Sequence, residues 1–128
     1  NPTIDLVNGW PGGRKQCEKA GIDPVSFSPA HHVKPGLPPT LILTGEKDGY
    51  LPRQSLHDVT ARMRAAGNAC RFIEYPDATH GFFNYGKYDN KWFWQTMAEF
   101  EEFLVELAYL EGLSETAEAV LRDQKRTE

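Results

Sequence analysis

The apolar positions of this chain follow two different periods, and the change from one to the other marks the elements. Thr40-Leu41-Ile42-Leu43-Thr44 is a short apolar run stopped by Gly45. Such a run predicts a strand buried on both faces, as in a parallel sheet. The turn "GEKDGY" follows, and Pro52 stands where a first helical residue would. Leu56, Val59, Met63 and Ala66 then recur at helical spacing until Gly67-Asn68 ends the helix. Cys70 to Tyr75 reads as a second strand, with Phe72, Ile73 and Tyr75 as its apolar or ring positions. Strand, helix and strand with short connections make one βαβ unit with a right-handed crossover. Beyond it, Phe93, Met97, Phe100, Leu104, Leu107 and Ala108 form the apolar stripe of a long helix predicted from about Asn90 to Leu110. A last, charged amphipathic helix is predicted over 114–125 with Ser114 as its N-cap.

The first third is different. Pro2, Pro11, Pro24, Pro29, Pro35, Pro38 and Pro39 break it up, so only one short helix, around Gly13 to Ala20, is predicted there. So long an irregular lead-in is expected to be functional or to follow further structure. Two adjacent parallel strands also make a poor sheet alone, because each leaves an edge open. The pattern predicts an α/β fold of which these residues form a part.

Composition narrows the partners. Of 128 residues, 40% are apolar and 25% charged, and the net charge is −4 with no block of like charges. That argues against nucleic acid or an anionic membrane surface as the main partner. No apolar run approaches the roughly 18 residues a membrane helix needs. No signal peptide is visible, but the chain does not begin with methionine. The start is expected upstream, and location stays unknown. Cys17 and Cys70 form no C-x-x-C pair and are expected to be free, structural thiols. His31-His32 lacks both helical ligand spacing and an acidic neighbour, and His57 falls on the polar side of its helix. No metal or organic cofactor is expected.

Two titratable residues fall where open α/β sheets gather their functional groups, at the carboxyl ends of strands. Asp48 follows the first strand and His80 the second. Neighbouring strands would let them meet, and a carboxylate beside an imidazole fixes the ring tautomer and stabilises the imidazolium. Each also has a plainer reading. Asp48 could simply close a turn, and His80 could pack beneath the aromatic residues around it.

"PPTLILTGEKDGYLPRQS" with "GNACRFIEYPDATHGFFN" resembles the C-terminal part of the α/β-hydrolase fold, nearest to bacterial esterase/lipase-type enzymes. The dienelactone hydrolase and prolyl oligopeptidase branches share much of this pattern. The resemblance covers about residues 1–112, a partial α/β-hydrolase domain, and leaves 113–128 as a charged C-terminal helix or tail. It makes Gly45-Glu46-Lys47-Asp48 the turn that carries the triad acid and His80-Gly81-Phe82 the segment that carries the triad base. "FSPAHHVKPGLPPT" is similar to the family's lead-in to the acid strand. By the same likeness "NPTIDL" falls just after the family's sixth strand, so the N-terminal half is expected to be missing.

The departure from the family is large. The nucleophile normally sits on a G-x-S-x-G elbow upstream of the acid. This chain has no such elbow and no H-G-G-G-type oxyanion segment. Its serines, Ser26, Ser28, Ser55 and Ser114, lie on no glycine-flanked turn. The expected function is therefore the acid-and-base portion of a serine carboxylic-ester hydrolase, inactive alone. The parts of a triad act as a unit. Phe82, Phe83, Tyr85 and Tyr88 are candidates to line a pocket for a small ester, against packing on the long helix. Three alternatives stay open: part of a prolyl-oligopeptidase-type peptidase, part of a dienelactone hydrolase, and a short non-catalytic interaction protein whose exposed sheet edge self-associates.

Overall fold

A computed structural model of the chain describes residues 3–9, 11–50 and 52–124. They fall into two compact units, residues 1–80 and 81–128. The readings that involve Pro2 and the start of "NPTIDL", and the last residues of the charged tail, lie outside the described residues.

The first unit is built on the predicted βαβ. Strand β1 (Thr40–Gly45) and strand β2 (Cys70–Tyr75) pair in parallel, from Thr40 opposite Cys70 to Gly45 opposite Tyr75. Helices α1 (Pro11–Lys19) and α2 (Pro24–Phe27) precede them, and helix α3 (Arg53–Ala65) makes the crossover. Pro52 is not the first helical residue. Its backbone is extended (ψ 112°), and its carbonyl accepts both the Ser55 N–H at 3.1 Å and the Ser55 hydroxyl at 2.8 Å. At the other end Gly67 takes a φ of +78°, which lets the Asn68 N–H reach the Met63 carbonyl at 3.0 Å. That left-handed turn closes the helix one residue short of Ala66.

Strand β1 is not buried on both faces. Ile42 and Thr44 are covered, while Leu41 and Leu43 on the alternate face are half-exposed. Among the described residues the sheet has only two strands. The second face therefore has less to pack against than the sequence pattern anticipates.

The proline-rich lead-in has a definite place. Ala30, Val59 and Met63 form a buried cluster, with Ile4, Val33, Leu37 and Cys70 packed around it. Ile4, Ala30, Val33 and Leu37 thus pack against α3. Polar anchors set the path. The Ser28 hydroxyl, fully buried, accepts the Leu6 N–H at 3.0 Å, and the Ala30 N–H donates to the Ile4 carbonyl at 2.8 Å. The Asn68 amide accepts the Leu37 N–H at 2.9 Å and donates to the Lys34 carbonyl at 2.8 Å. Besides α1, which begins two residues before the predicted Gly13, the region holds α2, capped by the Asp23 carboxylate, and a 3₁₀ turn at Pro29–His32.

Asp5 ties down the start of this lead-in. Its carboxylate accepts the N–H groups of Val7 and Asn8, each at 2.9 Å. Burial pushes the carboxyl upward. The hydrogen bonds from Asn8 and Val7, with the nearby His31, outweigh that and hold it below its ordinary value. A carboxyl lowered on folding contributes stability above its unfolded value of about 3.9, and that contribution fades as pH falls toward the folded value. Thermal melts of wild type and Asp5→Asn at about pH 6 and pH 3 should show the smaller acid-induced drop for the variant. Equal drops would mean that Asp5 has no part in acid stability.

The second unit pairs helix α4 (Lys91–Glu106) with helix α5 (Glu115–Gln124). Ala98, Ala117 and Leu121 form its buried cluster, flanked by Leu113 and Val120. Ser114 caps α5 as expected. Its hydroxyl accepts the Ala117 N–H at 3.2 Å, and Glu101 on α4 holds Ser114 in turn. Helix α4 is shorter than the predicted 90–110, and its buried positions are Trp92, Thr96 and Ala98. Met97 and Phe100, placed in the core stripe from sequence, are exposed. The face of α4 against α5 is set by the small Ala98, which allows close approach. No described helix is long and apolar enough to cross a membrane.

Candidate active site

The candidate site forms where the loops after β1 and β2 come together, within the first unit. Two backbone hydrogen bonds and one from a backbone N–H to a carboxylate fasten the two loops. The Glu46 N–H donates to the Tyr75 carbonyl and the Lys47 N–H to the Ala78 carbonyl, each at 2.9 Å. The Asp77 N–H donates to the Glu46 carboxylate at 3.2 Å. Gly45 makes this approach feasible. A Cβ there would stand 2.3 Å from the Ala78 carbonyl oxygen, so the requirement is for space, since Gly45 does not lie in the left-handed region. Asp77, with φ 58°, turns the second loop, and its carboxylate meets the Lys47 ammonium at 2.6 Å. That hydrogen bond and charge hold the Asp77 carboxyl below its ordinary value.

Fastening the loops brings Asp48 to His80. The His80 Nδ1 lies 3.0 Å from Asp48 Oδ2 and 3.3 Å from Oδ1. A carboxylate can only accept, so Nδ1 carries the proton of this bond. The lone pair of a neutral ring is then on Nε2. The Asp48 side chain is 1% exposed and the His80 side chain 52%. One partner is a sheltered carboxylate and the other an accessible imidazole, which is the division an orienter and a base require. Oδ1 of Asp48 also accepts the Tyr50 N–H at 2.9 Å, and the Asp48 N–H donates to the Gly45 carbonyl at 3.1 Å. Asp48 thus closes a turn and also contacts the histidine.

Next to the pair, Arg53 at the start of α3 grips Glu74 on β2 with two bonds of 2.6 and 3.0 Å. Its guanidinium also lies 3.9 Å from Glu46. The Glu74 contact raises the Arg53 pKa. The arrangement links the helix that follows the Asp48 loop to the strand that precedes the His80 loop.

The four serines are engaged elsewhere. Ser26 donates to the Asp23 carbonyl, Ser55 to that of Pro52, Ser28 bonds the 4–6 segment and Ser114 bonds Glu101. Of the other histidines, His32 contacts the Val25 and Ser26 carbonyls, and His57 lies edge-on to Phe72 and 3.6 Å from Glu74. Among the described residues no group of three or more candidate ligands could hold a metal ion. Cys17 and Cys70 are free thiols, and burial pushes the Cys70 thiol upward.

Of the ring residues singled out as pocket candidates, Phe82 is fully buried and edge-on to Phe83. Tyr85 lies edge-on to Phe93 of α4, and the rings of Phe83, Tyr85 and Tyr88 are exposed. All four belong to the second unit. Tyr50 is the site residue that sequence reasoning passed over. Its ring stands 4.9 Å from that of His80 at 63°. Its position two residues after Asp48 could have indicated the N–H contact. Nothing in the sequence indicates the ring contact.

Known proteins complete the picture. Residues 12–84 match the alpha/beta hydrolase fold family. No curated protein matches significantly. Among solved structures, the chain is similar to a thermophilic esterase of the planctomycete Thermogutta terrifontis with propionate bound. It is 33% identical over 89% of this chain and 43% of that one, with a TM-score of 0.79. The form of T. terrifontis esterase 2 phosphonylated by sarin gives 33% identity over 88% of this chain and 44% of that one, with a TM-score of 0.80. The form phosphorylated by paraoxon gives 35% identity over 88% and 40%, with a TM-score of 0.77. The chain thus spans less than half the length of these esterases. On the extent of the family match and the identity to these structures, the chain belongs to the alpha/beta hydrolase fold family.

Proposed function

We propose that this chain supplies the orienting acid, Asp48, and the general base, His80, of a serine carboxylic-ester hydrolase. The nucleophile lies outside the 128 residues. The observation that carries the reading is the 3.0 Å contact between His80 Nδ1 and a carboxylate that is 1% exposed. The family membership and the likeness to an esterase support it.

In this reading His80 Nε2 takes the proton of the attacking serine hydroxyl as the oxygen bonds to the ester carbonyl carbon. Asp48 stabilises the imidazolium that forms. His80 then gives the proton to the departing alkoxide, leaving an acyl-enzyme. Water repeats the sequence, its proton passing through His80 and the acid leaving as product. No metal or organic cofactor enters.

By itself the chain hydrolyses esters little or not at all, because base, nucleophile and oxyanion donors act as a unit. The substrate is a small ester. Phe83, Tyr85 and Tyr88, exposed rings that closely follow His80 in the chain, are the candidates for contact with it, and Phe82, fully buried, is left to packing. Kinetics of His80→Ala and Asp48→Asn in the natural gene product, with short-chain p-nitrophenyl esters, test the reading. Full activity in His80→Ala would reject it.

A further inference from the structure

We infer that Tyr50 is a positioning residue of the Asp48–His80 pair, its backbone holding the carboxylate and its ring holding the imidazole. The inference rests on the function proposed for that pair and adds a component to it.

Tyr50 contacts both members of the pair. Its N–H donates to Asp48 Oδ1 at 2.9 Å, which closes a local turn from the side chain to the backbone two residues on. That bond fixes where the Tyr50 side chain departs from the loop. Its ring then meets the His80 ring edge to face, with centroids 4.9 Å apart and planes at 63°. This is the separation and inclination that aromatic pairs favour. One short turn therefore fixes both the acceptor of the His80 bond and a wall against the His80 ring.

The need for such a wall follows from exposure. The His80 side chain is 52% exposed. The ring is thus open to water although the carboxylate it meets is sheltered. An imidazole turns about two side-chain bonds, and a contact at one nitrogen does not by itself fix both. An aromatic ring packed against the imidazole restricts it. Tyr50 is itself 66% exposed, so its ring is not spent on filling a core. Exposure also means that its removal leaves no buried cavity, which makes the residue suitable for testing. Gly49, between Asp48 and Tyr50, has open space about its Cα and does not lie in the left-handed region. The turn therefore depends on the Asp48 carboxylate and the Tyr50 N–H rather than on an unusual glycine conformation.

The imidazole tautomer reads the positioning directly. Free neutral histidine favours the Nε2–H form, and a fixed carboxylate at Nδ1 reverses that preference. The natural gene product, labelled with nitrogen-15, is compared with its Tyr50→Phe and Tyr50→Ala variants by long-range proton–nitrogen spectra at about pH 9, well above the ordinary titration range of imidazoles. His80 in wild type should be mostly Nδ1–H. Tyr50→Phe keeps the ring and should keep that preference. Tyr50→Ala keeps the backbone N–H but loses the ring, and its His80 should lose most of the preference and shift toward free histidine. His57, whose ring lies against Phe72 at 4.8 Å, serves as the internal control for folding and should not change. If His80 is Nδ1–H in all three proteins, the pair stands and the role of Tyr50 is overturned. If Tyr50→Phe behaves like Tyr50→Ala, the hydroxyl rather than the packed ring is responsible, and the inference is overturned again. If wild type itself is Nε2–H, the pair is not formed and both proposals fall.

Discussion

Replacing His80 by alanine should lower ester hydrolysis by the natural gene product about 10⁴-fold or more, the scale on which base and nucleophile depend on each other. The loss should appear in kcat, because in the proposed mechanism His80 acts on protons that move only during the chemical steps. Asp48→Asn should cost about 10⁴-fold as well. An amide at position 48 can donate to Nδ1, which would put the proton on Nε2, where a base needs a lone pair. Since both residues act through one imidazole, the double variant should be hardly slower than His80→Ala. Progress curves with p-nitrophenyl butyrate measure all three. Losses that multiply in the double variant would show that Asp48 and His80 do not work as a pair.

A large effect on stability is expected from Gly45→Ala. The added Cβ would meet the Ala78 carbonyl oxygen at 2.3 Å and its carbon at 2.8 Å. Both are backbone atoms, which cannot turn aside as a side-chain tip can. Forcing an extra carbon into a packed position costs about 1–3 kcal/mol, and the upper end applies because the obstacle is main chain. The clash lies between the two loops that carry the pair. The Lys47-to-Ala78 bond, 2.9 Å, should go with it. The variant should therefore lose stability in urea and, in the active protein, lose turnover as Asp48 and His80 separate. An unchanged urea midpoint would show that the loops need not approach so closely.

The βαβ unit and the meeting of Asp48 with His80 were legible because topology decides both. Adjacent parallel strands put their carboxyl ends side by side, so residues just past those ends become neighbours whatever fills the rest of the fold. Helix ends were legible where glycine marks them. Gly67, with positive φ, closes α3 where Gly67-Asn68 predicted its end. Helix α4 was read too long because it closes through Ala108, which takes φ 58° without being glycine, while the Tyr109 N–H returns to the Leu104 carbonyl. A left-handed alanine leaves no mark in a sequence. The stripe of α4 was misread for a related reason. That helix carries apolar residues on several faces, so periodicity could not say that Ala98, rather than Met97 or Phe100, would be covered. The contact of Tyr50 with His80 was out of reach because it depends on how closely one loop lies on another, which Gly45 permits but does not announce.

The most direct test of the account is covalent labelling of the natural gene product with a fluorophosphonate, followed by peptide mapping. The account predicts one adduct, on a glycine-flanked serine outside these 128 residues, lost when the protein is denatured beforehand and sharply slowed by His80→Ala. An adduct on Ser26, Ser28, Ser55 or Ser114, or no adduct on any serine, would contradict it.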